Sequence, residues 1–247
     1  MGKKIIFHND FFKVYASDPA AEGGRMESIL NELTDYEVLQ PDFASDSDIL
    51  LVHTENHLKR VKNSYEPVYE MALLSAGGAI LASEIAIEKT PIFAVIRPPG
   101  HHASPEGFWG FCWFNNIAIS IQKSILNQDI QNAVIIDFDY HYGDGTANIF
   151  KDNSSVKYFS CKGINNSNYI ENIEKFLLDY GNVDLIGVSA GFDLHIEDWG
   201  GLLTTEDYFR IGEIIKETKK PRFAVLEGGY NHNVLGKNVR AFINGFY

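Results

Sequence analysis

From Ala133 to Gly145 an apolar run passes into Asp137, Asp139, His141 and Asp144, with carboxylate and imidazole alternating before a glycine-flanked turn. Side chains of a strand alternate between faces, so Asp137, Asp139 and His141 are expected on one side of a strand end. Charge at the end of an apolar strand costs several kcal/mol unless a cation or a hydrogen-bond network compensates it, which makes a metal the first expectation. A catalytic zinc takes three protein ligands and keeps one position open. Asp139, His141 and Asp193 would supply such a set, although the strand pleat alone does not choose between Asp137 and Asp139. Tandem His101-His102 follows a stiff Pro98-Pro99-Gly100 turn, and the remaining carboxylates Asp137 and Asp144 are available to fix their tautomers. Tyr230, in a Gly-Gly-Tyr turn, would offer its hydroxyl to a developing oxyanion. These residue types together amount to a set for metal-assisted hydrolysis. Glu227-Gly228-Gly229 has neither the glycine spacing nor the lysine of a phosphate loop.

The elements that must hold these residues follow a rhythm of apolar strand, polar or glycine-rich tip, then helix. Strands are expected at residues 5–7, 93–96, 133–138, 156–159, 185–189 and 223–226. Helices are expected at 25–33, within 45–63, from Pro67 through Ala82, and at 116–126, 146–150, 169–180, 205–218 and 234–242. Continuous apolar strands alternating with helices predict an α/β fold with a mostly parallel central sheet covered on both faces. Ligands then bind beyond the carboxyl ends of the strands, where the motifs above lie. His53 and His57, four apart on one helix face, lack the glutamate directly after the first histidine that a zinc-binding His-Glu-x-x-His helix carries, and read as a packed or hydrogen-bonding pair near the cleft.

A chain of 247 residues with 45% hydrophobic and 22% charged content suits a single domain over residues 1–247. A net charge of −12 speaks against nucleic acid and leaves room for cationic small molecules or basic peptides. Cys112 and Cys161 are too few for a disulfide scaffold, and no run reads as a membrane span, so a cytoplasmic protein is expected. The oligomeric state is not legible.

Five ordered motifs carry a resemblance: Arg97-Pro98-Pro99-Gly100-His101-His102-Ala103, Gly110-Phe111-Cys112-Trp113-Phe114-Asn115-Asn116, Asp137 to Gly145, Ser189-Ala190-Gly191-Phe192-Asp193 and Glu227-Gly228-Gly229-Tyr230-Asn231. With them the chain resembles the histone deacetylase family, including the acetylpolyamine amidohydrolases, of arginase/deacetylase fold. The resemblance implies that Asp139, His141 and Asp193 bind Zn(II) or Fe(II). It implies that His101 and His102 are the base and acid, backed by Asp137 and Asp144, with Tyr230 polarising the amide carbonyl. It further implies a potassium site from Asp137, Asp139, His141, Ser160 and Cys161, and a substrate channel that includes Gly110, Phe111 and Trp199.

Two departures bear on substrate. After Cys161 only residues 162–167 precede the next helix, where the family usually inserts a loop bearing one aromatic wall, and Lys162 stands where a histidine is common. The stretch between His57 and the helix near Glu66 is also short, so an acidic rim residue has no clear counterpart. An open site is expected. The implied reaction is removal of an acetyl or other acyl group from an amine, either a small-molecule acetylated amine such as an acetylpolyamine or an acetyl-lysine peptide. Glu197 and Asp198 beside Asp193 would favour a cationic substrate, unless they cap the following helix. The alternatives are a dinuclear manganese ureohydrolase of the same fold, which would need an Asp-x-Asp where Asp193-Leu194-His195 stands, and a catalytically silent metal-containing binding protein.

Overall fold

The computed structural model describes residues 3–64 and 66–247, so Met1, Gly2 and Tyr65 lie outside the description, as does the side chain of Glu66. Strands β1 (Lys4–Ile6), β2 (Glu37–Leu39), β3 (Ile92–Ala94), β4 (Ala133–Asp137), β5 (Val156–Ser160), β6 (Leu185–Ala190) and β7 (Arg222–Leu226) form one sheet. Their order is β2-β1-β3-β7-β6-β4-β5, and every pairing is parallel. Strands β4, β6 and β7 are buried along their whole length, as continuous apolar runs in the middle of a sheet covered on both faces should be. Strand β2 escapes the sequence reading because it is a three-residue edge strand with no buried residue.

The helices are α1 (Arg25–Leu30), α2 (Asp46–Ile49), α3 (Glu55–Lys62), α4 (Glu66–Ile87), α5 (Asn116–Leu126), α6 (Asp144–Phe150), α7 (Asn166–Tyr180), α8 (Thr205–Glu217) and α9 (His232–Phe246). The helical region expected within 45–63 is two helices, because Ser45 and Thr54 each cap a separate start. Helix α6 begins two residues before Thr146, at Asp144. Helix α9 runs past Phe242 because Ile243 and Phe246 continue its buried face.

One expectation is overturned by α4. Its Pro67–Ile87 stretch is long and apolar enough to cross a membrane, with mean hydropathy 1.5 over 18 residues, whereas the sequence reading found no such run. In the fold 67% of that window is buried, so apolarity all round serves a helix enclosed by protein. A Cβ at Gly78 would lie 2.6 Å from Ile96 Cγ2, and one at Gly77 would collide with the Asp42 carbonyl, so glycine lets α4 approach its neighbours closely.

Register sets up the functional edge. Asp137 lies opposite Ser160 on β5 and Ser189 on β6, while Ala190 lies opposite Leu226 on β7. The three tips therefore open together at the carboxyl edge. From β4 the chain moves outward to β5 and then returns to β6 and β7 on the other side of β4, and such a reversal leaves a crevice at the ends of β4 and β6. Behind it, Phe138 and Phe192 pack with ring centroids 5.7 Å apart, and Phe242 of α9 lies 5.2 Å from Phe138. These buried rings anchor the residues that alternate with them, Asp137, Asp139 and Asp193.

Candidate metal and acid–base site

Beyond β4 the backbone is held by its own carboxylates rather than by sheet pairing. Strand β4 ends at Asp137, whose Oδ1 accepts from Asp139 N–H at 3.1 Å, and Asp139 Oδ1 accepts from His141 N–H at 2.9 Å. These turns correct the expectation of one continuous strand face, yet they deliver the residues to a common place. The ligand atoms of Asp139, His141 and Asp193 all lie within 4.8 Å of one another. Asp139 Oδ2 also accepts from Gly228 N–H at 2.8 Å, and Asp193 Oδ1 from Tyr140 N–H at 3.0 Å.

The remaining carboxylate oxygen tests whether a metal fits. Asp193 Oδ2 is buried and has no hydrogen bond among the described residues, while His141 Nδ1 lies 3.0 Å from it and 3.2 Å from Asp139 Oδ1. The two adjacent carboxylates, Asp139 first and Asp193 next, raise the His141 pKa to about 10. Burial, with the charge of Asp139 next, raises Asp193. Two buried carboxylates around one imidazole require a cation, supplied either by the protonated ring or by a metal bound to the neutral ring. One nitrogen and two carboxylate donors suit a divalent metal such as zinc or iron.

Both tandem histidines meet the carboxylates expected for them. His101 Nδ1–H donates to Asp137 Oδ2 at 3.0 Å and His102 Nδ1–H to Asp144 Oδ1 at 2.7 Å. Burial opposes protonation of His101, but Asp139 and Asp137 outweigh it and lift its pKa well above the ordinary imidazole value. Burial, followed by the neighbouring His101, lowers His102 to about 4. The two adjacent imidazoles thus have opposite proton preferences, the charged ring for His101 and the neutral ring for His102; a cation held by Asp139 would offset the foremost charge that favours the His101 proton.

Several contributors were not legible in the sequence. Tyr158 O–H donates to Asp137 Oδ2 at 2.8 Å. Buried Glu227 holds the tandem-histidine turn, its Oε2 accepting from Gly100 N–H at 2.7 Å and His101 N–H at 3.2 Å, and burial lifts its pKa to about 7. Asp198 Oδ2 accepts from Tyr230 N–H and Asn231 N–H, each at 2.8 Å, and so fixes the Tyr230 turn. Glu197 is exposed. His53 and His57 are stacked 4.5 Å apart; His53 donates to Ser104 O and accepts from Asn115 N–H, and His57 donates to Trp113 O. They bind loops together, as the bland reading held.

A cavity of about 140 Å³ lies over these groups, lined by His101, His102, His141, Gly110, Phe111 and Tyr230, and walled by Trp109 and Trp199. Phe111 sits at φ +67°, a left-handed conformation that costs a non-glycine residue of order 1–2 kcal/mol, and its ring faces Tyr230 edge-on at 6.0 Å. Trp199 stacks on Tyr230 at 4.1 Å. On the Ser160–Cys161 side, Cys161 N–H donates to the Asp137 carbonyl at 2.8 Å, and Lys162 Nζ lies 5.4 Å from the Tyr142 ring centroid.

Known proteins share this arrangement of sequence and fold. A model of the histone deacetylase domain matches residues 20–169. The chain is 31% identical to a probable deacetylase of Methanothermobacter thermautotrophicus over 297 aligned positions, covering 98% of this chain and 90% of that protein. That alignment is longer than the 247 residues of the chain, so the relative carries segments absent here. It is 28% identical to acetylpolyamine amidohydrolase 2 of Pseudomonas aeruginosa, over 71% of this chain and 62% of that one. Among solved structures, the HD domain of HDA15 superposes with a TM-score of 0.87 over 98% of this chain and 88% of that chain, a likeness of fold at 22% identity.

Proposed function

Because the chain belongs to the histone deacetylase family, we propose that it is a zinc-dependent amide hydrolase that removes an acetyl group from an N-acetylated amine. The observation that carries this reading is the buried Asp193 Oδ2, which has no hydrogen bond among the described residues and lies among Asp139 and His141 below two histidine–aspartate pairs. Asp139, His141 and Asp193 would hold the metal, with Fe(II) as the alternative to Zn(II). When bound it supplies Lewis-acid polarisation of the acyl oxygen and of the attacking water.

The chain's own residues supply the proton traffic and the shape. With a cation on Asp139 offsetting the charge that otherwise keeps it protonated, His101, held by Asp137, would take the proton of the attacking water at Nε2, because its Nδ1–H is committed to the carboxylate. His102, held by Asp144 and neutral at rest, would have to gain a proton during turnover before delivering it to the departing amine. Tyr230 lines the cavity with its backbone pinned by Asp198, and its hydroxyl would donate to the developing oxyanion. Asp137, Asp139, His141, Ser160 and Cys161 form a proposed potassium site, supported by the pairing of Asp137 with Ser160 across β4 and β5. The half-exposed indoles of Trp109 and Trp199 and the net charge of −12 suit an aliphatic amine with a cationic remainder, either acetyl-lysine in a peptide or an acetylpolyamine.

The test is acetate release by zinc-loaded protein from acetyl-lysine peptides, acetylpolyamines and their longer-chain acyl analogues. Hydrolysis of an acetylated amine that stops on chelation and returns with zinc is expected. Inertness across the panel, or urea release from a guanidino compound by a two-manganese form, would overturn the reading.

A further inference from the structure

Trp109 belongs to none of the motifs that define the site, yet it touches both ends of one proton-carrying pair. Its Nε1–H donates to Asp144 Oδ2 at 3.0 Å, while the other oxygen of the same carboxylate accepts from His102 Nδ1–H at 2.7 Å. Its ring lies against the His102 ring, with centroids 3.8 Å apart and planes at 34°. The side chain of Asp144 is 46% exposed, unlike that of Asp137, which is fully buried. A carboxylate at a helix start facing water has many orientations open to it. The indole donor removes most of them, since a planar carboxylate with each oxygen bonded to a different ring is fixed in plane and in rotation. Trp109 is itself 53% exposed and walls the cavity mouth, so the group that orients Asp144 is also one that an entering substrate meets.

We infer that Trp109 is a positioning residue for His102, acting through Asp144, in addition to forming a wall of the cavity. The inference rests on the reading of His102 as the proton donor to the leaving amine. Two substitutions separate its roles. Trp109→Phe keeps a ring over His102 and deletes the N–H; Trp109→Ala deletes both. In zinc-loaded full-length protein, Trp109→Phe should lower kcat by about 10-fold with KM within about 2-fold, and Trp109→Ala should in addition raise KM. In an Asp144→Asn background, Trp109→Phe should produce no further fall in kcat, because the chain of contacts is already broken. The His102 Nδ1–H proton resonance, followed with histidine-selective nitrogen-15 labelling, should shift in Trp109→Phe. If Trp109→Phe does not fold, replacing Trp109 by benzothienylalanine, which has the indole shape with sulfur in place of N–H, carries the same expectations. An unmoved resonance, an unchanged kcat, or effects that multiply with Asp144→Asn would reduce Trp109 to a wall. The resonance is read without substrate. If no acetylated amine is hydrolysed, the proposed function falls and the shift of the resonance still decides the role of Trp109.

Discussion

Replacing Gly228 by alanine perturbs the proposed metal ligands without touching any of their side chains. A Cβ built at Gly228 would lie 2.6 Å from Asp139 Oδ2 and 2.8 Å from Asp193 Oδ2. Carbon and oxygen in contact sit at about 3.3 Å, so both oxygens must retreat by roughly 0.5 Å or more. Metal–ligand distances tolerate only about 0.2 Å, and disturbing even a hydrogen-bonding partner of a ligand costs about 10–100-fold in affinity. Displacing two ligands at once should cost at least that much. Gly228 has no left-handed φ, so alanine is compatible with its backbone and the fold should survive. Zinc affinity by chelator competition, together with melting of the protein with and without zinc, measures the effect. A 100-fold loss of affinity removes about 2.7 kcal/mol of zinc-dependent stabilisation when zinc is in excess. Gly23, which has no left-handed φ and where a Cβ would meet only Val14 Cγ2 at 3.6 Å, serves as the control, and its alanine variant should retain zinc binding. Zinc binding by Gly228→Ala as tight as by the unaltered protein would refute the assignment of Asp139 and Asp193 as ligands.

Tyr230→Phe should lower kcat by about 10²- to 10³-fold, the usual loss for an oxyanion donor, while zinc content by elemental analysis stays normal; near-normal turnover would remove Tyr230 from the mechanism. His53 offers a pH prediction away from the metal. Burial, and next the neighbouring His57, lowers its pKa to about 3, and its ring already gives one hydrogen bond and accepts another, so protonation would break the bond from Asn115 N–H. Because the unfolded ring takes up its proton near its ordinary value of 6.5, the contribution of His53 to stability is complete above that pH and is lost as pH falls from 6.5 through 3. The slope is at most about 1.4 kcal/mol per pH unit. Urea unfolding of His53→Gln between about pH 6 and pH 4 should show a shallower slope than the parent, and parallel curves would show that His53 is not held neutral.

What could be read from the sequence divides along a physical line. The central strands announced themselves because they are buried on both faces and so are apolar without a break. Edge strand β2 gave no such signal, and α4 disguised its length by mixing alanine and glycine among its larger apolar residues. At the site, Asp137, Asp139, His141, Asp144, His101, His102 and Asp193 were legible as ionisable groups at the tips of apolar segments. Tyr158, Glu227, Asp198 and Trp109 were not, because each acts on a partner remote in the chain. Tyr158 reaches Asp137 across 21 residues, Trp109 reaches Asp144 across 35, and Asp198 reaches Tyr230 across 32. No local periodicity encodes such a pairing.

A physical signal for them did exist, in the demand that a buried carboxylate oxygen find a donor. Four acidic residues at the strand tips, Asp137, Asp139, Asp193 and Glu227, are buried together. Asp137 is satisfied by His101, Tyr158 and Asp139 N–H, Asp139 by His141 and Gly228 N–H, and Glu227 by Gly100, His101 and Ser189. Asp193 is satisfied at one oxygen only, by Tyr140 N–H. Each satisfied oxygen accounts for a residue that sequence reading missed or saw in another role: Tyr158 steadies Asp137, and Glu227 serves the histidine turn. Among the described residues, the one oxygen of these four acids without a hydrogen bond lies 3.0 Å from His141 Nδ1 and beside Asp139, so its charge calls for a cation, either the protonated His141 ring or a bound metal.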